Sequence, residues 1–156
     1  ERVGNTALDQ VLVNLKLLGW IDGDLSALGP YCDVVSTATG VPIPASYPVF
    51  GADAFRTATG VHAAAVIKAL RRGDTLLANR VYSGVPADYF GRAQVIEVGP
   101  MSGQSNVVYW LESRGIDPEP GLVEAIFTAC KENDRLMTEA EILALAEEQQ
   151  ATAAST

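Results

Sequence analysis

Leu8, Val11, Leu12, Leu15 and Leu18 recur at helical spacing, which predicts an amphipathic helix over residues 6–18. Thr6 stands where an N-cap belongs, Asp9 puts an acidic group in the first turn, and Gly19 supplies the stop. An apolar stripe of that kind needs a large surface to cover it. Ahead of it, Glu1 to Asn5 form a polar, glycine-containing stretch with no strand before it, which reads as a cut through a larger fold.

Further along, the pattern weakens and then recovers. Residues 25–39 read as a short helix interrupted at Gly29-Pro30, and the proline-rich VPIPASYPVFG reads as an extended connector. Helical periodicity returns over residues 61–72 and ends at Gly73; Ala63, Ala64 and Ala65 allow another backbone to approach closely. VYSGVPADYFGR reads as loop, and AQVIEVG alternates enough to predict the clearest strand of the chain. PMSGQSN is a polar turn into the helix VVYWLESRG, with Ser105 as N-cap. Two more helices are expected. One is GLVEAIFTACKEN, with Leu122, Val123, Ile126, Phe127 and Cys130 apolar; the other is TEAEILALAEEQQ, opened by a Thr138–Glu141 capping box. The tail ATAAST is expected to be disordered. The fold class is mainly α with a few short strands.

Composition narrows the function classes. With 156 residues, 48% hydrophobic and 19% charged, the chain is long and apolar enough to bury one ordinary core. A net charge of −8 argues against nucleic acid or an anionic membrane surface, because phosphate binding needs clustered Lys and Arg. The only dense basic spot, Lys68 with Arg71-Arg72, lies at a predicted helix end where cations suit the dipole, and it reads as structural. Cys32 and Cys130 show no CxxC spacing, so a reducing cytoplasm is the simpler setting. No apolar run reaches the roughly 18 residues of a membrane span. A βα repeat, a nucleotide loop and a clustered set of metal ligands are all missing from the pattern, so the chain does not read as a self-contained enzyme.

Candidate chemistry is sparse when each residue is taken alone. His62, the only histidine, reads either as a partly buried ring donating to a carbonyl or as a general acid or base, since imidazole titrates near neutrality. Tyr82 reads as a packing residue in a loop. GPMSGQSN offers either N–H groups to an anion or a simple turn. Asn5 has the position of an N-cap, with a hard oxygen ligand for Mg²⁺ or Mn²⁺ as the alternative.

Together, ERVGN, GADAFRTATGVHAAAVIKA, VYSGVPADYFGR and EVGPMSGQSNV, in this order and at these separations, resemble the isopropylmalate synthase and homocitrate synthase family. The resemblance covers residues 1 to about 112. It implies an acyltransferase that condenses acetyl-CoA with a 2-oxo acid and then hydrolyses the thioester, using a divalent metal (Mg, Mn or Zn) in a TIM barrel. Residues 1–19 would then be the final loop and helix of that barrel, 20–50 a linker with a short helix and proline-rich connector, 51–150 an α+β linker and dimerisation subdomain, and 151–156 a disordered tail. Asn5 resembles the family's metal ligand. His62, in Gly60-Val61-His62, resembles the histidine that enters the neighbouring subunit's active site, and Tyr82, ten residues before Arg92, the tyrosine that joins it.

That correspondence implies a base or proton-relay role for His62 and an orienting or thioester-stabilising role for Tyr82. The family's aspartate and HxH ligands have no counterpart here, and SGQ replaces the commoner SGK or SGR. The chain alone is therefore expected to be inactive, with the rest of the barrel and a second copy, in a subdomain-exchanged homodimer, as partners. The alternative is a non-catalytic dimerisation or regulatory module derived from this family. An unrelated helical binding protein is the third reading.

Overall fold

The structure is a computed structural model that describes residues 4–154. Its described elements are seven helices and two very short strands: α1 (Leu8–Leu17), α2 (Leu28–Thr39), β1 (Arg56–Thr57), α3 (Gly60–Arg71), α4 (Thr75–Arg80), β2 (Val95–Ile96), α5 (Gln104–Glu112), α6 (Pro120–Glu132) and α7 (Glu139–Ala154), with a 3-10 turn at Ala87–Phe90. The mainly helical architecture expected from the sequence is what forms. The chain divides into two compact units, one of residues 1–56 with 79–94 and the other of residues 57–78 with 95–156.

In the first unit, α1 starts at Leu8 with Ala7 as its N-cap, so neither Thr6 nor Asn5 caps it. Other contacts pin its first turn. The Tyr47 hydroxyl donates to the buried Asp9 carboxylate at 3.2 Å, and Gln10 Nε2 donates to Asp9 at 2.8 Å and to the Pro48 carbonyl at 3.0 Å. Gly19 takes the left-handed conformation expected of a helix stop (φ 70°). α2 corrects the expected interruption at Gly29-Pro30. The proline lies in the first turn, where its missing N–H has no intrahelical acceptor to lose.

The proline-rich segment is irregular, as its composition requires, but it does more than connect. Val49 and Phe50 are buried with Val13, Leu28, Phe55, Ala87 and Phe90. Val49 sits there at φ 67°, a conformation that costs a β-branched residue about 1–2 kcal/mol and that burial of the two side chains offsets. The apolar stripe of α1 behaves differently: the buried apolar residue of this helix is Val13, off the stripe, whereas Leu8 and Leu18 stay more than half exposed, as do Trp20, Val34 and Val41.

The second unit is built on α3, α5, α6 and α7. Its core contains Val98, Val107, Trp110, Leu111, Ile126, Cys130, Met137 and Ile142. The expected strand AQVIEVG is shorter than its alternation suggests: Val95–Ile96 forms the strand paired with β1, and a last backbone bond runs from the Glu97 N–H to the Thr57 carbonyl at 3.0 Å. The physical reason lies just beyond it, where the carbonyls of Ala58 and Glu97 accept from side chains instead of a neighbouring strand. The six-residue α4 was not expected; Asp74 opens it, accepting the Leu77 N–H at 2.9 Å. α7 runs to Ala154 and so takes in the first four residues of the expected tail; the rest of that tail lies outside the described residues.

The capping box of α7 forms as expected. Thr138 N–H donates to Glu141 at 2.7 Å, Glu141 N–H returns to Thr138 Oγ1 at 3.3 Å, and Arg135 forms an ion pair with Glu141 at 2.6 Å. Arg135 first, and the Thr138 donors second, hold the Glu141 carboxyl down to about 2. A carboxyl depressed in the folded state contributes stability that is fully present above its ordinary value near 4.5 and is lost as pH falls from there toward 2. Thermal melts across that window should therefore show a steeper acid loss for the native chain than for Glu141→Gln.

Candidate active site

His62 is the third residue of α3, and its side chain is exposed at the start of that helix. The turn that carries it is fixed by the loop at residues 99–106. Gly60 N–H donates to the Met101 carbonyl at 2.9 Å. Ser102 Oγ donates to the Ala58 carbonyl at 2.7 Å and accepts the Gly99 N–H at 2.9 Å. Asn106, fully buried, donates to the carbonyls of Ala58 (3.0 Å) and Glu97 (2.9 Å) and accepts the Gly103 N–H at 3.2 Å. Lys131 closes the loop from α6, donating to the carbonyls of Pro100 at 2.8 Å and Ser102 at 2.6 Å.

GPMSGQSN is thus a clasp that holds the start of α3. Gly103, not Ser105, is the N-cap of α5, and the N–H groups of Gly99, Ser102, Gly103 and Asn106 are all taken up inside the loop. The approach is close enough to require glycine at position 60, where a Cβ would lie 2.7 Å from the Gly103 nitrogen. Gly60→Ala should therefore lower stability by about 1–3 kcal/mol, the usual range for overpacking, as read by chemical denaturation. A variant as stable as the native chain would show that the clasp is loose.

Tyr82 lies in the segment between α4 and the 3-10 turn, with its ring about half exposed. The segment is anchored on both sides. Phe90 is fully buried, Arg92 donates to the Gly51 carbonyl at 3.3 Å, and Gln94 donates to Ser83 Oγ at 3.2 Å. Gly91, at φ 67°, passes so near Ser26 that a Cβ would meet its carbonyl at 2.9 Å. Arg92 of the FGR motif therefore acts as a brace for this loop.

Asn5 is exposed, between Gly4 at φ 102° and the start of α1. No group of three or more His, Cys, Asp or Glu among the described residues could hold a metal ion. The Asn5 amide oxygen is a hard donor of the right chemistry, but it is a single donor, and the described residues do not complete a metal site around it. Residues 1–3 of the ERVGN motif lie outside the described residues. Asn5 and Tyr82 belong to the first unit and His62 to the second.

Neither cysteine is prepared for nucleophilic work. Both thiols are unpaired. Burial pushes Cys32 up to about 11, with Asp9 adding to the effect, and burial also raises Cys130. No helix among the described residues is long and apolar enough to cross a membrane. The positioning residues that sequence reading missed are Ser102, Asn106 and Lys131. Their signal is faint: a small residue, an amide three positions after a glycine, and a lysine some 25 residues later in another helix.

No protein-family model matches the chain. Relatives do match. Homocitrate synthase AksA of Methanopyrus kandleri is 32% identical over 133 residues, covering 84% of this chain and 31% of that protein. Homocitrate synthase of Pyrococcus horikoshii is 34% identical over 120 residues, 76% of this chain and 31% of that protein. (R)-citramalate synthase of Aquifex aeolicus is 30% identical over 124 residues, 77% of this chain and 22% of that protein. The chain belongs to the isopropylmalate synthase and homocitrate synthase family. It spans less than a third of the length of these curated relatives.

Proposed function

We propose that this chain is the C-terminal portion of a metal-dependent acyltransferase that condenses acetyl-CoA with a 2-oxo acid and hydrolyses the resulting thioester. The observation that carries the reading is the placement of His62: an exposed imidazole on the first turn of a helix whose start is locked by a buried polar clasp. Preorganisation of that kind is what a proton-transfer residue needs, because its geometry must hold through the reaction. His62 serves as base or proton relay at the acetyl methyl group. Tyr82, on an anchored loop with an exposed ring, orients the thioester or donates to the oxyanion that forms on it.

Residues 1–19 act as the last loop and helix of the catalytic barrel, and the rest of the barrel covers the exposed apolar side chains of α1. Asn5 would provide one oxygen ligand to a divalent ion, the other ligands coming from the barrel. Such an ion supplies Lewis acidity at the keto oxygen of the second substrate. His62 and Tyr82 work across a homodimer with exchanged subdomains. The test is product identification. The complete protein, supplied with acetyl-labelled acetyl-CoA and a panel of 2-oxo acids, should yield with one of them a labelled hydroxy acid carrying one more carboxyl than the 2-oxo acid, by mass spectrometry. Label recovered only as acetate and unreacted acetyl-CoA would reject the condensation.

A further inference from the structure

Along one face of the last turns of α3, Lys68, Arg71 and Arg72 converge on an open cleft of about 260 Å³, together with Ala64, Ile67 and Ser105 from the first turn of α5. Three of the chain's 11 cations thus share one concavity on a molecule of net charge −8. Their neutralisation is incomplete. Arg71 forms an ion pair with Glu112 at 2.7 Å. Lys68 and Arg72 are exposed and make no ion pair or hydrogen bond among the described residues, and the Ser105 hydroxyl is likewise unengaged there. Asp74, the nearest acid along the chain, does not line the cleft and caps α4 through Leu77.

Helix-end electrostatics do not account for this arrangement. The α3 macrodipole is equivalent to about half a negative charge at that end, and Glu112 contributes one more. Set against three cations, these leave a surplus of roughly one and a half positive charges. Like charges three and four residues apart on a helix repel one another, so the cluster carries a cost that a bound anion would relieve. A phosphate monoester, at about −1.5 to −2 near neutral pH, matches the surplus. Guanidinium forks and an ammonium are the side chains that recognise its oxygens, and a serine hydroxyl can supply a further donor.

We propose that this cleft is a phosphate-binding site, in which Lys68, Arg71 and Arg72 hold the phosphoryl oxygens and the Ser105 hydroxyl donates a further hydrogen bond. The site lies wholly within the second unit, so its failure would leave the proposed condensation standing, and the reverse also holds.

The experiment is an amide-resolved NMR titration of the full chain with inorganic phosphate and with phenyl phosphate, at physiological chloride. Expected are saturable shifts confined to the end of α3 and the start of α5. Lys68→Ala/Arg72→Ala should weaken binding about tenfold or more, whereas the charge-preserving Lys68→Arg/Arg72→Lys retains it. Both pairs are exposed, and circular dichroism confirms that each variant folds. Tighter binding of the ester than of free phosphate would support a site for the phosphoryl end of a larger ligand; equal binding would support a site for phosphate itself. Absence of saturable shifts, shifts scattered over unrelated cations, or undiminished binding to the alanine variant would overturn the proposal.

Discussion

His62→Ala in the complete protein should lower kcat by about 10²- to 10⁴-fold, the span typical of losing a general acid or base, with little change in the melting temperature. The two halves of that expectation have separate causes. Stability is largely spared because His62 is exposed and Ser102, Asn106 and Lys131 hold the turn beneath it. Rate would be lost because removing the ring takes away the proposed proton-transfer group. The pH–rate profile distinguishes proton transfer from simple positioning. If His62 titrates in the mechanism, one limb of the profile should disappear in the variant; a uniformly scaled profile with both limbs intact would assign His62 to substrate orientation. Tyr82→Phe, which keeps the ring and removes the hydroxyl, should cost less than the histidine change if its role is to orient or donate.

The largest expected loss of stability comes from Trp110→Ala, at about 3–5 kcal/mol for truncating a large buried aromatic. Trp110 is 2% exposed and sits in the core of the second unit with Val107, Leu122 and Ile126. The Arg114 guanidinium lies over its ring at 3.7 Å, and Arg114 also forms an ion pair with Glu139 at the start of α7. The substitution therefore opens a cavity and removes the aromatic face that stacks beneath Arg114. Denaturant unfolding should show a lower midpoint, and Trp110→Phe should recover a substantial part of it. A loss below 1 kcal/mol would mean that the core relaxes around the gap, contrary to the packing described.

How much of this was legible in the sequence depended on the range of the forces involved. Local signals transferred well: the glycine stops at Gly19 and Gly73, the Thr138–Glu141 box, and the periodic helices α3, α6 and α7 all appear where their patterns put them. Failures arose where a distant partner decides. Thr6 looks like a cap, but Tyr47, some 38 residues away, fixes the first turn of α1 through Asp9. Gly29-Pro30 looks like a break, yet a proline in a first turn breaks nothing. AQVIEVG looks like a full strand, but side chains from the following loop and α5 take the carbonyls a longer ladder would use.

The candidate site follows the same division. His62, Tyr82 and Asn5 are candidates that contiguous motifs single out, whereas the clasp at the start of α3 is assembled from residues 58 to 131 and leaves no compact motif. The Lys68–Arg71–Arg72 cluster was visible, but its meaning was not. Helical spacing places the three cations on one face, and only the fold shows that Glu112 pairs with Arg71 and that Ser105 shares their cleft.

If this chain completes an acetyl-CoA-dependent condensing enzyme, as proposed, thiol release is the measurement that reads it most directly. The complete protein is incubated with acetyl-CoA, a panel of 2-oxo acids and a divalent metal, and free CoA is followed colorimetrically with and without a chelator. Release should require one of the 2-oxo acids, stop on chelation, and fall by about 10²-fold or more in His62→Ala. No release with any 2-oxo acid, or release indifferent to both the metal and His62, would contradict the proposal.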